Sequence, residues 1–162
     1  MGNNKELPLE FAFHTTNVDV KDGETTFNSL FIYPFIEAVA TFVANTVTWS
    51  KAGFRRGEVP LQSMAKQLKS LEFYDEESHT HLADGLFKLY GLKGLEILLL
   101  ESSGCFGNTD RVKHSFDHHK GLFGALSMLK QIADSFHKAS VDSFSKIKVL
   151  FVHAAGSITF GF

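Results

Sequence analysis

Apolar residues recur every three or four positions through much of this chain, and that repeat predicts helices. The first falls over 27–49, where Phe35, Val39, Phe42 and Val43 share a face with Ile36 beside them, and Thr25 or Thr26 can cap it. Pro34 interrupts this run, because proline lacks an amide hydrogen, so regular helix is expected from near Tyr33. Gly53, Gly57 and Pro60 then mark a break that holds Arg55, Arg56 and Glu58. A second helix is predicted over 61–74, with Leu61, Met64, Leu68 and Leu71 aligned. The strongest pattern covers 81–101, where Leu86, Tyr90, Lys93 and Ile97 are spaced three or four apart and would share one helical face. A glycine-containing loop follows, then a fourth helix over 109–137 with Phe116, Leu122, Phe123, Leu126 and Leu129 on its apolar side. Residues 139–147 are compatible with one more helix.

The two ends read differently. Residues 7–20 alternate loosely, as an extended segment would, and the run Lys21-Asp22-Gly23-Glu24 signals a turn. The tail from Val149 is rich in β-formers and glycine, and the pattern leaves it unassigned. With no repeat, linker or low-complexity tract, one domain over 1–162 is expected, and its class is all-α.

Composition adds one departure from the ordinary. There are 17 Phe against 3 Tyr and 1 Trp, so either the core or a ligand cavity is lined by rings. A length of 162 residues is enough to bury a core without metal or disulfide. The net charge of −2 provides no uniform field toward nucleic acid or an acidic membrane, so no nucleic-acid partner is expected. The lone cysteine, Cys105, cannot form an internal disulfide, and the polar start Met1-Gly2-Asn3-Asn4 has no signal-peptide core; a soluble cytoplasmic protein is expected.

Candidate chemistry is sparse. Among eight histidines, His114 and His118 stand four apart with His119 adjacent, a spacing that can place two imidazoles on one metal or haem. No second motif supplies the remaining ligands, so no cofactor is expected. There is no nucleophile elbow and no phosphate-cradling glycine loop, so the chain does not read as an enzyme. Tyr90 and Lys93 are more suggestive, since a lysine on an apolar stripe is either snorkelling at the core's rim or paired with a ligand at a cavity mouth.

From these residues outward the chain resembles the glycolipid transfer protein family. The segment Leu86-Phe87-Lys88-Leu89-Tyr90-Gly91-Leu92-Lys93-Gly94-Leu95 is similar to that family's helix carrying a Trp three residues before Arg-Gly-Leu, with Tyr90 for the Trp and Lys93 for the Arg. Phe116-Asp117-His118-His119-Lys120-Gly121-Leu122 resembles the family's His-Gly-Trp segment, with His119, or alternatively His118, as the head-group histidine. Leu61-Gln62-Ser63-Met64, Ser78-His79-Thr80 and Pro34-Phe35-Ile36-Glu37-Ala38 match weaker positions. The resemblance implies a two-layer helical sandwich that binds and transfers a sphingolipid or glycolipid with transient membrane contact. Tyr90, Lys93, His119, His118, Arg55 and Arg56 would hold the head group, and Phe35, Val39, Phe42, Leu86, Ile97, Phe123 and Leu126 would line the chain slot. Trp49 would either touch the membrane or belong to the core. The family's sugar-binding Asp, Asn and Lys have no counterparts between Lys51 and Pro60.

Overall fold

A computed structural model describes residues 19, 21–47, 51–70, 81–155 and 157–161, with β5 described by its backbone alone. In chain order the elements are α1 (Glu24–Thr46), β1 (Ala52–Pro60), α2 (Gln62–Ser70), β2 (Leu82–Leu89), β3 (Leu95–Ser102), α3 (Arg111–Ser135), the single turn α4 (Val141–Phe144), β4 (Leu150–Ala155) and β5 (Ser157–Gly161). The strands form one mixed sheet in the order β1-β2-β3-β4-β5. Every neighbouring pair is antiparallel except β3 and β4, which run parallel and are joined across one face by α3.

The all-α expectation is therefore corrected: the fold is mixed α/β. The decisive error is the predicted helix over 81–101, which is an antiparallel β2–β3 hairpin. Its strands are covered on both faces, and a strand buried on both sides loses the alternation that would have marked it. Leu86 and Leu99 join the core beneath α2 and α3, while Phe87, Leu98 and Leu100 pack against α1. The break at 53–60 is likewise a strand, with its register shifted between Arg56 and Val59. The unassigned tail supplies β4 and β5.

Other expectations hold with altered limits. α1 is continuous through Pro34 because residues Asn28–Ile32 adopt a π-helical turn just before it, which re-registers the hydrogen bonds that proline would otherwise break. It is long and apolar enough to cross a bilayer, yet it buries Phe27, Ile32, Tyr33, Ile36 and Ala40 in the sheet-facing core. α3 falls where the fourth helix is predicted, capped by Asp110, whose side chain accepts from the amides of Val112 and Lys113. Its expected apolar side is corrected: Phe116, Leu122, Phe123 and Leu126 are exposed, and Gly121, Gly124, Met128 and Ile132 are buried instead. Gly121 and Gly124 let it lie close on the sheet, since a Cβ at either would strike Phe151 or Leu99. α2 covers 62–70, and the rest of that predicted helix, like Trp49, His79 and the extended 7–18, falls outside the described residues.

Candidate functional site

β3 runs apolar from Leu95 to Leu100, apart from Glu96, and then turns polar at Glu101-Ser102-Ser103 while remaining buried. Antiparallel pairing brings the start of β2, with Asp84, to this end. Parallel pairing sets His153 of β4 beside Glu101. The first turns of α3 then pass over the strand ends, and Lys113, Asp117 and Lys120 share one of its faces. From the other layer, α1 contributes Glu24 and Asn28. The carboxyl ends of a parallel pair joined by a crossover helix are where α/β folds commonly place ligands.

The hydrogen bonds knit these groups closely. Glu101 is buried and uses both oxygens: Oε1 lies 2.7 Å from His81 Nε2, and Oε2 accepts from Lys120 Nζ at 2.7 Å. Lys120 also donates to the Leu82 carbonyl at 2.8 Å. The Ser102 amide donates to Asp84 Oδ2 at 2.6 Å, and its hydroxyl to Asn28 Oδ1 at 2.8 Å. Lys113 Nζ is surrounded by Glu24 (3.2 Å), Asp117 (3.1 Å) and the Ser102 carbonyl (3.1 Å). Burial works against the Lys113 charge, but Asp117 and Glu24 outweigh it and hold its pKa above the ordinary lysine value.

Charge is out of balance here. Four carboxylates, Glu24, Asp84, Glu101 and Asp117, face two lysines, and the ion pairs go to Glu24, Asp117 and Glu101. Among the described residues no cation pairs with Asp84. Burial pushes its pKa up to about 7, with Glu101 and Glu24 adding repulsion while the Ser102 amide and Lys120 pull the other way.

Ser103 with His153 and Asp117 has the composition of a catalytic triad without its order. The Ser103 hydroxyl donates to Asp117 Oδ2 at 2.9 Å, so the 2.8 Å contact to His153 Nε2 is one in which the serine accepts. A nucleophilic serine gives its proton to the imidazole instead. Burial, and then the nearby His118, hold His153 below the usual histidine pKa.

The residues expected from sequence are dispersed. Tyr90 sits in a 3-10 turn (Tyr90–Leu92) and Lys93 follows it at φ 58°, both in the β2–β3 connection at the far end of the sheet from the histidines. Arg55 is exposed on β1. Arg56 is tied to Glu37 of α1 and lies over the Tyr33 ring. His118 packs against Phe151 and His153, while His119 points away and bonds the Ser115 carbonyl of its own helix. His114 stands edge-on to His153. Among the described residues no three His, Cys, Asp or Glu side chains are grouped as ligands for one ion. Of the expected slot, Leu86 is fully buried core, whereas Phe35, Val39, Phe42, Phe123 and Leu126 face outward, Phe42 being 69% exposed. Ile97 lines a groove described below.

Sequence reasoning missed Asp84, Glu101 and Lys120. The available signal was the break in hydrophobicity at Glu101-Ser102-Ser103, directly after three leucines. No family model matches this chain, and neither does any curated protein or solved structure.

Proposed function

We propose that this domain is a hydrolase of phosphodiesters that works with a hard divalent cation, Mg²⁺ or Mn²⁺, held by Asp84 and Glu101. The observation that carries this reading is the excess of carboxylate at the strand ends, with no cation paired to Asp84 among the described residues. A divalent cation supplies that charge. Mg²⁺ takes one or two protein carboxylates and completes its shell with water and substrate phosphate oxygens, so a pair of strand carboxylates is a sufficient protein contribution.

Each neighbour then has a role. Lys120 commits two of its three donors, to Glu101 and Leu82, and the third would be left to donate to a substrate phosphate, whose charge grows in the transition state. His81 fixes the orientation of Glu101. A divalent cation held by Asp84 and Glu101 would supply Lewis-acid activation of a water and would favour the ionised form of Asp84. Nucleic acid is the phosphodiester to test first. This proposal sets aside the expectation of no nucleic-acid partner, which rested on the net charge of the whole chain, because a bound divalent cation would offset the local carboxylate excess that faces a phosphate.

The lipid-transfer expectation asks for Tyr90, Lys93 and a histidine at one slot, and these lie at opposite ends of the sheet, so the carboxylate cluster is the better-supported site. The test is calorimetric titration with Mn²⁺ and Mg²⁺, together with cleavage of labelled single- and double-stranded oligonucleotides. Binding and cation-dependent cleavage by the wild type, both lost in Asp84→Asn, are the expected result. A wild type that takes up neither cation at millimolar concentration would overturn the proposal.

A further inference from the structure

A second feature lies at the opposite end of the sheet from the carboxylates. A groove of about 410 Å³ opens between the β2–β3 connection, the end of α3 and the segment leading into β4. Eight of its nine lining residues are apolar, among them Leu89, Leu95, Ile97, Ile132 and Phe136, and the ninth is Lys148. Its volume falls within the range of small-molecule sites. Leu95 and Ile132 belong to the buried core, so the floor is fixed by packed elements, while Phe136 stands 43% exposed at the rim.

We propose that this groove binds one acyl chain ending in a carboxylate, that is, a monomeric fatty acid. An apolar trough with a single cation matches an apolar chain with a single anion. Among the described residues no ion pair engages Lys148, so its ammonium is available to the carboxylate. A peptide fits less well, because its backbone donors and acceptors would be buried against a lining that offers them almost no polar partners. The site is independent of the proposed hydrolytic centre.

The experiment is calorimetric titration of the whole chain with decanoate, dodecanoate and tetradecanoate below their critical micelle concentrations, with dodecanol as the uncharged control. Affinity should rise about two- to fourfold per methylene until the groove is full. Ala139→Trp, which fills the groove from an exposed position, should abolish binding. Lys148→Glu should weaken dodecanoate at least tenfold and leave dodecanol unchanged. Asp84→Asn should bind dodecanoate like the wild type, which separates failure here from failure of the hydrolase proposal. Absence of saturable binding, affinity independent of chain length, or retention in Ala139→Trp overturns the proposal. So does binding to anionic phosphatidylglycerol vesicles without binding to monomeric dodecanoate, which would make this end a membrane contact.

Discussion

Replacing Asp84 with Asn should make the protein more stable at neutral and alkaline pH. The carboxylate is partly removed from water, carries no ion pair among the described residues and lies near two other acids, so the fold favours its protonated form. Its pKa rises from 3.8 in the reference state to about 7 in the folded chain. The native state then binds the proton more tightly than the unfolded state, and stability must fall as pH rises from about 4 to about 7, levelling off above that. A shift of about three units corresponds to roughly 4 kcal/mol at most, and the residue's partial solvent access reduces this to about 2–4 kcal/mol. Asparagine keeps the size and can still accept from the Ser102 amide, without the charge. Urea unfolding from pH 4 to pH 8 should therefore show the two proteins equal near pH 4 and the variant ahead by about 2–4 kcal/mol at pH 8, with unchanged m. For a chain of this size that is a rise in Tm of about 5–15 °C. A difference that does not vary with pH, or a variant less stable at pH 8, would refute the electrostatic argument. Added Mg²⁺ should narrow the gap by stabilising only the wild type.

Three further outcomes follow from the packing. Gly121→Ala should destabilise by about 1–3 kcal/mol in chemical denaturation, because its Cβ would sit 2.0 Å from Phe151 Cε2 and the buried ring must move, more than offsetting the helix propensity gained. Glu96→Ala should cost about 3–5 kcal/mol by the same measurement, since the buried carboxylate caps α2 through the Gln62 and Ser63 amides and pairs with Lys88 at 2.9 Å. Asp110→Ala should cost about 1 kcal/mol by removing the N-cap of α3, read as a lower thermal midpoint with an unchanged spectrum.

Periodicity located α1 and α3 as helices but chose the wrong face of each. Phe35, Val39 and Phe42 on α1 and Phe116, Leu122, Phe123 and Leu126 on α3 are exposed, whereas Tyr33, Ile36 and Ala40 and Gly121, Gly124, Met128 and Ile132 are the buried positions. It misled at 81–101, where Leu86 and Phe87 are both buried although they point to opposite faces of the sheet. An apolar run covered on both sides fits either period, and Leu86, Tyr90, Lys93 and Ile97 happened to fit the helical one. The corrective signal lay in Tyr90-Gly91-Leu92-Lys93-Gly94, where two glycines punctuate the run and both Lys93 and Gly94 adopt positive φ. The site was less legible still, because Asp84, Glu101 and Lys120 lie far apart along the chain and meet only through strand register and the crossover of α3.

Why β3 ends as it does is the strongest argument that this end of the sheet is more than scaffold. Glu101, Ser102 and Ser103 are 1%, 2% and 1% exposed, and they follow three leucines that would have continued the core. Burying three consecutive polar residues is costly unless each finds partners, and an apolar strand end would need none. The chain instead draws those partners from every surrounding element. Ser102 bonds Asn28 of α1 and Asp84 of β2; Ser103 bonds Asp117 of α3 and His153 of β4; Glu101 bonds His81 and Lys120. Successive side chains reach opposite faces, so this one tripeptide couples both helical layers to the sheet. The arrangement gives all three residues partners yet pairs no cation with Asp84 among the described residues. Burial answers that imbalance by raising the Asp84 pKa to about 7, so the carboxyl sits at the edge between its neutral and charged forms near neutral pH.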